Sequence, residues 1–145
     1  MVYKTSRNQS YERIGFFSAM LLTKQRFEHL EIWEMSVEIA NQFCNIAERL
    51  EKLQLNKFSE YIKDICMRIS NLIAEAADNN DKHNIHRLLM NAHFLILESE
   101  NMIMILYEQQ LVELPVKKSL WEKIQLLDEL ILELNQQPKG KHILN

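Results

Sequence analysis

The five histidines are the first candidates for chemistry, because imidazole is the commonest metal ligand in proteins. Helical bundles hold paired metal ions with a Glu-x-x-His motif on two of their helices, and no histidine here follows a glutamate by three residues. His86 and His93 are seven residues apart and share a helix face with Asn79 and Lys82. Because most of that face is polar, we interpret them as solvated or interface residues and predict no metal or cofactor.

The cluster Asp78–Asp81 has the oxygen ligands of a calcium site but not its spacing. A calcium loop starting at Asp78 requires Gly at its sixth position and Glu at its twelfth, where this chain has His83 and Leu89. Asp and Asn side chains also bond nearby backbone N–H groups and so favour turns and helix caps. We therefore predict a turn here, with Asp81 as the N-cap of the following helix.

Enzyme chemistry finds little support elsewhere in the sequence. With only two glycines the chain has no Gly-rich phosphate loop, and no Ser or Cys has a recognisable base beside it. Cys44 and Cys66 lie on apolar helical stripes, which predicts reduced core thiols. We expect a protein that is not an enzyme. A metal-bundle enzyme is a third hypothesis, which elemental analysis of the purified protein tests.

One charged pair is a candidate for a structural contact. Glu75 and Arg87 each lie about one and a half helical turns from the predicted turn, so an antiparallel hairpin places them nearly level. A partly buried carboxylate favours a planar, permanently charged partner. We predict a charge-assisted bond between Glu75 and Arg87 that fixes the register of two helices. The alternative is two independent surface charges.

The elements that position these residues are helices. Two apolar stripes, each with alternating spacings of three and four residues, flank the turn at residues 78–81 and predict an antiparallel helical hairpin. A further stripe after Pro115 predicts a last helix, which we expect to end at Pro138 and Gly140. The three stripes are Phe58, Ile62, Ile65, Ile69, Leu72 and Ala76; Ile85, Leu88, Ala92, Leu95, Ser99, Met102 and Leu106; and Leu120, Ile124, Leu127, Ile131 and Leu134.

The first long helix, predicted to start between Phe27 and Leu30 and to end near Lys52, carries two apolar stripes. A helix that is apolar over so much of its circumference is buried on two sides. The second side is either a wide core face of a monomer or an oligomer interface, since monomers seldom expose a large apolar patch. We predict the interface, formed by Ile32, Ile39, Phe43 and Ile46.

The pattern as a whole predicts an all-α, antiparallel up-down-up-down four-helix bundle at residues 27–136. Residues 137–145 form a basic tail. Residues 1–26 form an N-terminal extension with a possible short extra helix, which either packs on the bundle or a neighbouring subunit or precedes a native start near Met20. Its apolar run is too short to span a membrane, and no cleavage site of a signal peptide follows. We expect a cytoplasmic protein.

The charge distribution separates the body from the ends. Residues 27–135 have ten basic and nineteen acidic residues, a net charge of −9, whereas residues 1–26 have a net charge of +4. An acidic body cannot hold nucleic acid by bulk charge, so any such contact needs a local patch. The candidates are Lys63, Arg68, Lys82 and Arg87, although solvated helix faces explain them equally well.

Several short motifs occur in a characteristic order. The segment from Phe27 to Trp33 reads Phe-Glu-His-Leu-Glu-Ile-Trp, and Ile-Ala-Glu follows at residues 73–75. This order resembles the 23S rRNA-intervening-sequence proteins, also called four helix bundle proteins. In that register, without gaps from residue 73 to 100, the family's third-helix positions fall on Arg87, Leu89, Ala92, Glu98 and Glu100. The family's Pro, Asn and Gly around Ile-Ala-Glu are replaced by Ser70, Leu72 and Ala76, and one of its paired basic residues is replaced by Asp64.

The resemblance implies a four-helix bundle that assembles as a ring-like homopentamer. A related branch contains the accessory proteins of diversity-generating retroelements, which work beside a reverse transcriptase and its RNA. On this basis we expect a homo-oligomeric accessory protein for RNA or a ribonucleoprotein. The alternatives are a protein-interaction scaffold without nucleic acid and an accessory subunit of a retroelement reverse transcriptase.

Overall fold

Four helices make up the described part of the chain. The computed structural model describes the backbone of residues 16–143 and the side chains of residues 26–136. The helices are α1 (Phe16–Lys52), α2 (Asn56–Ala77), α3 (Lys82–Glu108) and α4 (Leu114–Ile143). Each packs against its neighbours in sequence, and α4 closes the bundle by packing against α1. The Cα atoms of the diagonal pairs, α1 with α3 and α2 with α4, stay more than 8 Å apart within this part of the chain. The predicted four-helix bundle is confirmed.

The helix ends differ from the prediction at two places. The first helix already begins at Phe16, so the described part of the proposed N-terminal extension is continuous with α1; residues 1–15 lie outside the described residues. The last helix continues past Pro138 and Gly140 to Ile143. A proline removes one backbone hydrogen bond of a helix, which can kink the helix without ending it.

The turn between α2 and α3 has the predicted chemistry. The Asp81 carboxylate accepts a hydrogen bond from the His83 backbone N–H at 3.0 Å, as an N-cap residue does. The Asn79 side chain accepts in turn from the Asp81 N–H, also at 3.0 Å. These two bonds close a short link, so α2 and α3 run antiparallel.

The other two links end their preceding helices with glutamine in a left-handed conformation. Gln54 follows α1 with φ 64°, and Gln110 follows α3 with φ 61°. In both links the next residue, Leu55 or Leu111, donates its N–H to the carbonyl five residues earlier. This is the Schellman closure, in which glycine is the usual left-handed residue. Leu114 and Pro115 then open α4, where proline is tolerated in the first turn.

The core is continuous through all four helices and contains most of the three predicted stripes. It also contains the residues predicted as an oligomer interface, and that prediction is wrong. Ile32, Ile39, Phe43 and Ile46 are between 0% and 4% exposed within a single chain. They form the inner face of α1, so no surface remains there for a second copy. On the other stripe of α1, by contrast, Leu30 and Trp33 are exposed.

Candidate functional site

The predicted bond between Glu75 and Arg87 is not made. Both side chains are exposed, and the ion pairs and hydrogen bonds of residues 26–136 do not join them. Glu75 therefore lacks the partial burial on which the prediction depended. The polar contact between α2 and α3 is made elsewhere, by the Tyr61 hydroxyl, which donates to the Glu98 carboxylate at 3.3 Å. Burial and then the nearby charge of Glu98 raise the pKa of Tyr61.

The four candidate nucleic-acid residues do not form one patch. Lys63 bonds the Glu51 carboxylate on α1 at 2.5 Å, and Arg68 pairs with Asp64 at 3.7 Å. Five residues apart on one helix, Lys63 and Arg68 lie roughly 140° apart around the α2 axis. Lys82 and Arg87 are exposed on α3. The structure therefore spreads these charges over different faces, and two of the four already have acidic partners.

The seam between α3 and α4 contains a largely buried hydrogen-bonded pair of side chains. His93 Nδ1 lies 2.6 Å from an Asp128 carboxylate oxygen, and each side chain is 16% exposed. Tyr107 follows His93 by fourteen residues on α3. The ammonium group of Lys117 on α4 lies 5.0 Å from the centre of the Tyr107 ring. These two contacts fix the antiparallel register of α3 and α4. Trp121, one turn beyond Lys117 on α4, is therefore level with the turn of α3 at residues 100–103, just before Met104.

Exposed apolar side chains lie on the outer side of α3 and beside it on α4. Phe94, Leu97, Met104 and Ile105 of α3 are between 37% and 57% exposed, and Trp121 of α4 is 39% exposed. We call these five residues the α3–α4 face. Half-buried Met90 extends the face by one turn, and the Phe94 ring packs on His93 with centroids 5.5 Å apart. The four exposed apolar side chains of α3 lie within twelve residues; a second such group, Phe27, Leu30 and Trp33, lies within seven residues of α1.

The sequence of α3 contains a second apolar stripe, which corresponds to the α3–α4 face. Met90, Phe94, Leu97, Asn101 and Met104 are spaced four, three, four and three residues apart, which is a second helical stripe on α3. The stripe that faces the core, from Ile85 to Leu106, already accounts for the hairpin. Like α1, α3 therefore has apolar side chains on two sides.

The interior of the bundle offers little room for a ligand. Its cavity has a volume of about 10 Å³, enough for roughly one water molecule. The hydroxyls of Ser36 and Ser99 line it, and both donate to backbone carbonyls of their own helices. Cys66 also lines the cavity, and burial raises the pKa of its thiol, which opposes ionisation. The predicted core position of Cys66 is confirmed, whereas Cys44 is half-buried.

The part of the chain that the structure describes has neither a clustered metal site nor a membrane-spanning helix. Within it, no group of three or more His, Cys, Asp and Glu side chains is arranged to hold a metal ion. Nor does any of its helices have the length and apolar character needed to cross a membrane. Comparisons with family models, curated proteins and solved structures give no match to this chain.

Proposed function

We propose that the protein is a cytoplasmic, non-enzymatic helical bundle that functions by assembling with copies of itself. The observation that carries this proposal is the α3–α4 face, an apolar surface that a single chain leaves exposed. Soluble monomers rarely expose large contiguous apolar patches, and such a patch commonly marks an interaction site. The proposed contact between copies is therefore the α3–α4 face and not the inner face of α1, which is buried within a single chain.

The composition of the face supports a protein partner. Aromatic residues and methionine are enriched at protein interfaces, whereas lysine is depleted. The α3–α4 face has one tryptophan, one phenylalanine and one methionine, and the charged residues Glu98 and Glu100 lie at its edges. Trp121 lies on the second helix of the seam, so the face is broader than a single helix stripe. Tryptophan is also among the residues that most often dominate binding energy at interfaces.

The small interior cavity supports a non-enzymatic role. Substrate and cofactor sites are usually clefts of about 300–1,000 Å³. The cavity of about 10 Å³ at the centre of the bundle is far smaller. We therefore assign the protein a structural role as a subunit of an assembly.

Self-association is tested by a matched pair of leucine substitutions. Leu97 on the α3–α4 face is 43% exposed, and Leu126, which lies on α4 outside the face, is 51% exposed. We expect Leu97→Ser to weaken assembly and Leu126→Ser to leave it unchanged, as measured by sedimentation equilibrium. Circular dichroism verifies that both variants keep their helices. Equal effects of the two substitutions would contradict a role for the face, and a monomeric parent protein would contradict the proposal itself.

The role beside RNA rests on the family resemblance alone and stays a prediction. Lys82 and Arg87 are the two candidate residues without a carboxylate partner in the described part of the chain. Phosphate contacts release counterions, so specific RNA binding must weaken steeply as salt rises. A mobility-shift assay with structured RNA at low and raised salt tests this role. Absence of binding at low salt would leave the protein-interaction scaffold, including one that serves a reverse transcriptase.

A further inference from the structure

The second stripe of α3 ends in opposite charges. Arg87 lies one turn before Met90, and Glu108 lies one turn after Met104. Both side chains are exposed, and neither takes part in the ion pairs found among side chains 26–136. Exposed His83 lies a further turn before Arg87, at the same end of the stripe. The stripe is therefore apolar in its middle, basic at one end and acidic at the other.

The charges and the apolar residues share one midpoint. Met90 and Met104, which bound the apolar part, are centred on Leu97; Arg87 and Glu108 are centred between Leu97 and Glu98. A surface with this arrangement is complementary to itself after a half turn about that midpoint. In an isologous contact, residue i of one copy meets residue j of the other, and j meets i.

We propose that the second copy docks on α3 antiparallel, about a two-fold axis that passes near Leu97. Arg87 of each copy then lies beside Glu108 of the other, and Phe94 lies beside Asn101. The two ion pairs are roughly 30 Å apart along the helix, at either end of the apolar contact. This inference rests on the proposed function, because it specifies the partner and the geometry of the same face.

The surroundings of the axis are compatible with this contact. Two acidic side chains border the stripe near the midpoint: Glu98, which accepts a hydrogen bond from Tyr61 and so lies towards α2, and half-buried Glu100 at the edge towards α4. Trp121 on the α4 side adds apolar area beside Met104. The contact consists of one helix face and a few neighbouring side chains, which is less than the ~800 Å² per partner of stable complexes. We therefore expect a dimer that dissociates on dilution.

A two-fold contact differs in kind from the ring of five that the family resemblance implies. A five-membered ring joins two different surfaces of the chain head to tail, whereas a two-fold contact uses one surface twice and closes at two copies. The proposed contact therefore predicts a molar mass of twice the 17.3 kDa of the chain.

Charge reversal tests the geometry with the full chain. Arg87→Glu alone places two carboxylates together at both ends of the contact, and Glu108→Arg alone places two arginines together. We expect each variant to dimerise roughly tenfold more weakly than the parent, because two exposed ion pairs become two repulsions. Mixing the two variants pairs the substituted chains with opposite charges, so we expect a heterodimer that forms more readily than either variant pairs with itself. Arg68→Glu is the matched control on α2, with dimerisation unchanged.

The mixing experiment, read by sedimentation velocity with one variant fluorescently labelled, separates the possible failures. Recovery of the dimer on mixing supports the antiparallel contact. A parent dimer that neither reversal weakens, or a weakening that mixing does not restore, overturns this contact but leaves self-association intact. A parent protein with the mass of five chains also overturns this contact and leaves self-association intact. A parent protein that is monomeric up to its solubility limit overturns both the contact and the proposed function.

Discussion

Replacement of Phe43 by alanine distinguishes a core residue from an interface residue most sharply. The Phe43 side chain is 0% exposed in a single chain and belongs to the continuous core of the bundle. Truncating a buried phenylalanine removes its transfer free energy and leaves a cavity, at a cost of about 3–5 kcal/mol. Stability for a chain of this length is on the order of 7–15 kcal/mol. We therefore expect Phe43→Ala to lose a large part of it, with a fall in Tm of roughly 10–15 °C.

The assay is urea unfolding followed by far-ultraviolet circular dichroism, at a low and a high protein concentration. A core defect lowers the free energy of unfolding by the same amount at both concentrations. The matched control is Phe27→Ala, because Phe27 is 68% exposed; we expect its effect to stay within about 0.5 kcal/mol. The assignment of Phe43 to the core is refuted if Phe43→Ala costs under about 1 kcal/mol and acts only by reducing assembly.

Three further predictions concern side chains of the bundle. We expect His93→Ala to cost about 1–3 kcal/mol in urea unfolding, because it leaves the Asp128 carboxylate partly buried without its partner; no loss would contradict a stabilising pair. We expect iodoacetamide to label half-buried Cys44 first and Cys66 only on unfolding, because burial and a raised pKa suppress the thiolate of Cys66; mass spectrometry after digestion gives the order. We expect the carbon-13 NMR resonance of the Tyr61 ring to titrate above the ordinary pKa of 10.0. Since the folded protein then holds this proton more tightly than the unfolded chain, its contribution to stability is present below pH 10 and is lost as pH rises through the folded pKa.

Periodicity predicts most of this fold because each helix buries one face. The stripes of α2, α3 and α4 lie in or against the core, and the Asp81 cap forms with the expected hydrogen bond. Spacing cannot tell which of two stripes on one helix is the inner one. On α1 both are apolar, and only the packing of α2 and α4 shows that the stripe with Phe43 faces inward and the one with Trp33 outward.

Contacts between helices distant in sequence are harder to predict than the helices themselves. The pairing of His93 with Asp128 depends on the register of α3 against α4. The sequence of the link between these helices does not determine that register, because the conformation of the link is not known from the sequence. Level position along a hairpin is also insufficient for a bond: Glu75 and Arg87 flank their turn symmetrically but remain exposed and unjoined. A bond requires the two side chains to approach around their helix axes as well as along them.

The links after α1 and α3 show a second gap between sequence and structure. Glycine is the usual signal for a left-handed helix end, and at these positions the chain has Gln54 and Gln110. A left-handed conformation costs a residue other than glycine roughly 1–2 kcal/mol. The hydrogen bonds of the Schellman closure offset that cost, so the links form without the residue that would identify them in the sequence.

The molar mass of the unmodified full-length chain, measured by light scattering over a range of concentrations, tests the account most directly. A chain that uses the α3–α4 face to pair with itself gives a mass that rises with concentration towards twice 17.3 kDa. A mass that stays at 17.3 kDa up to the solubility limit would contradict the account.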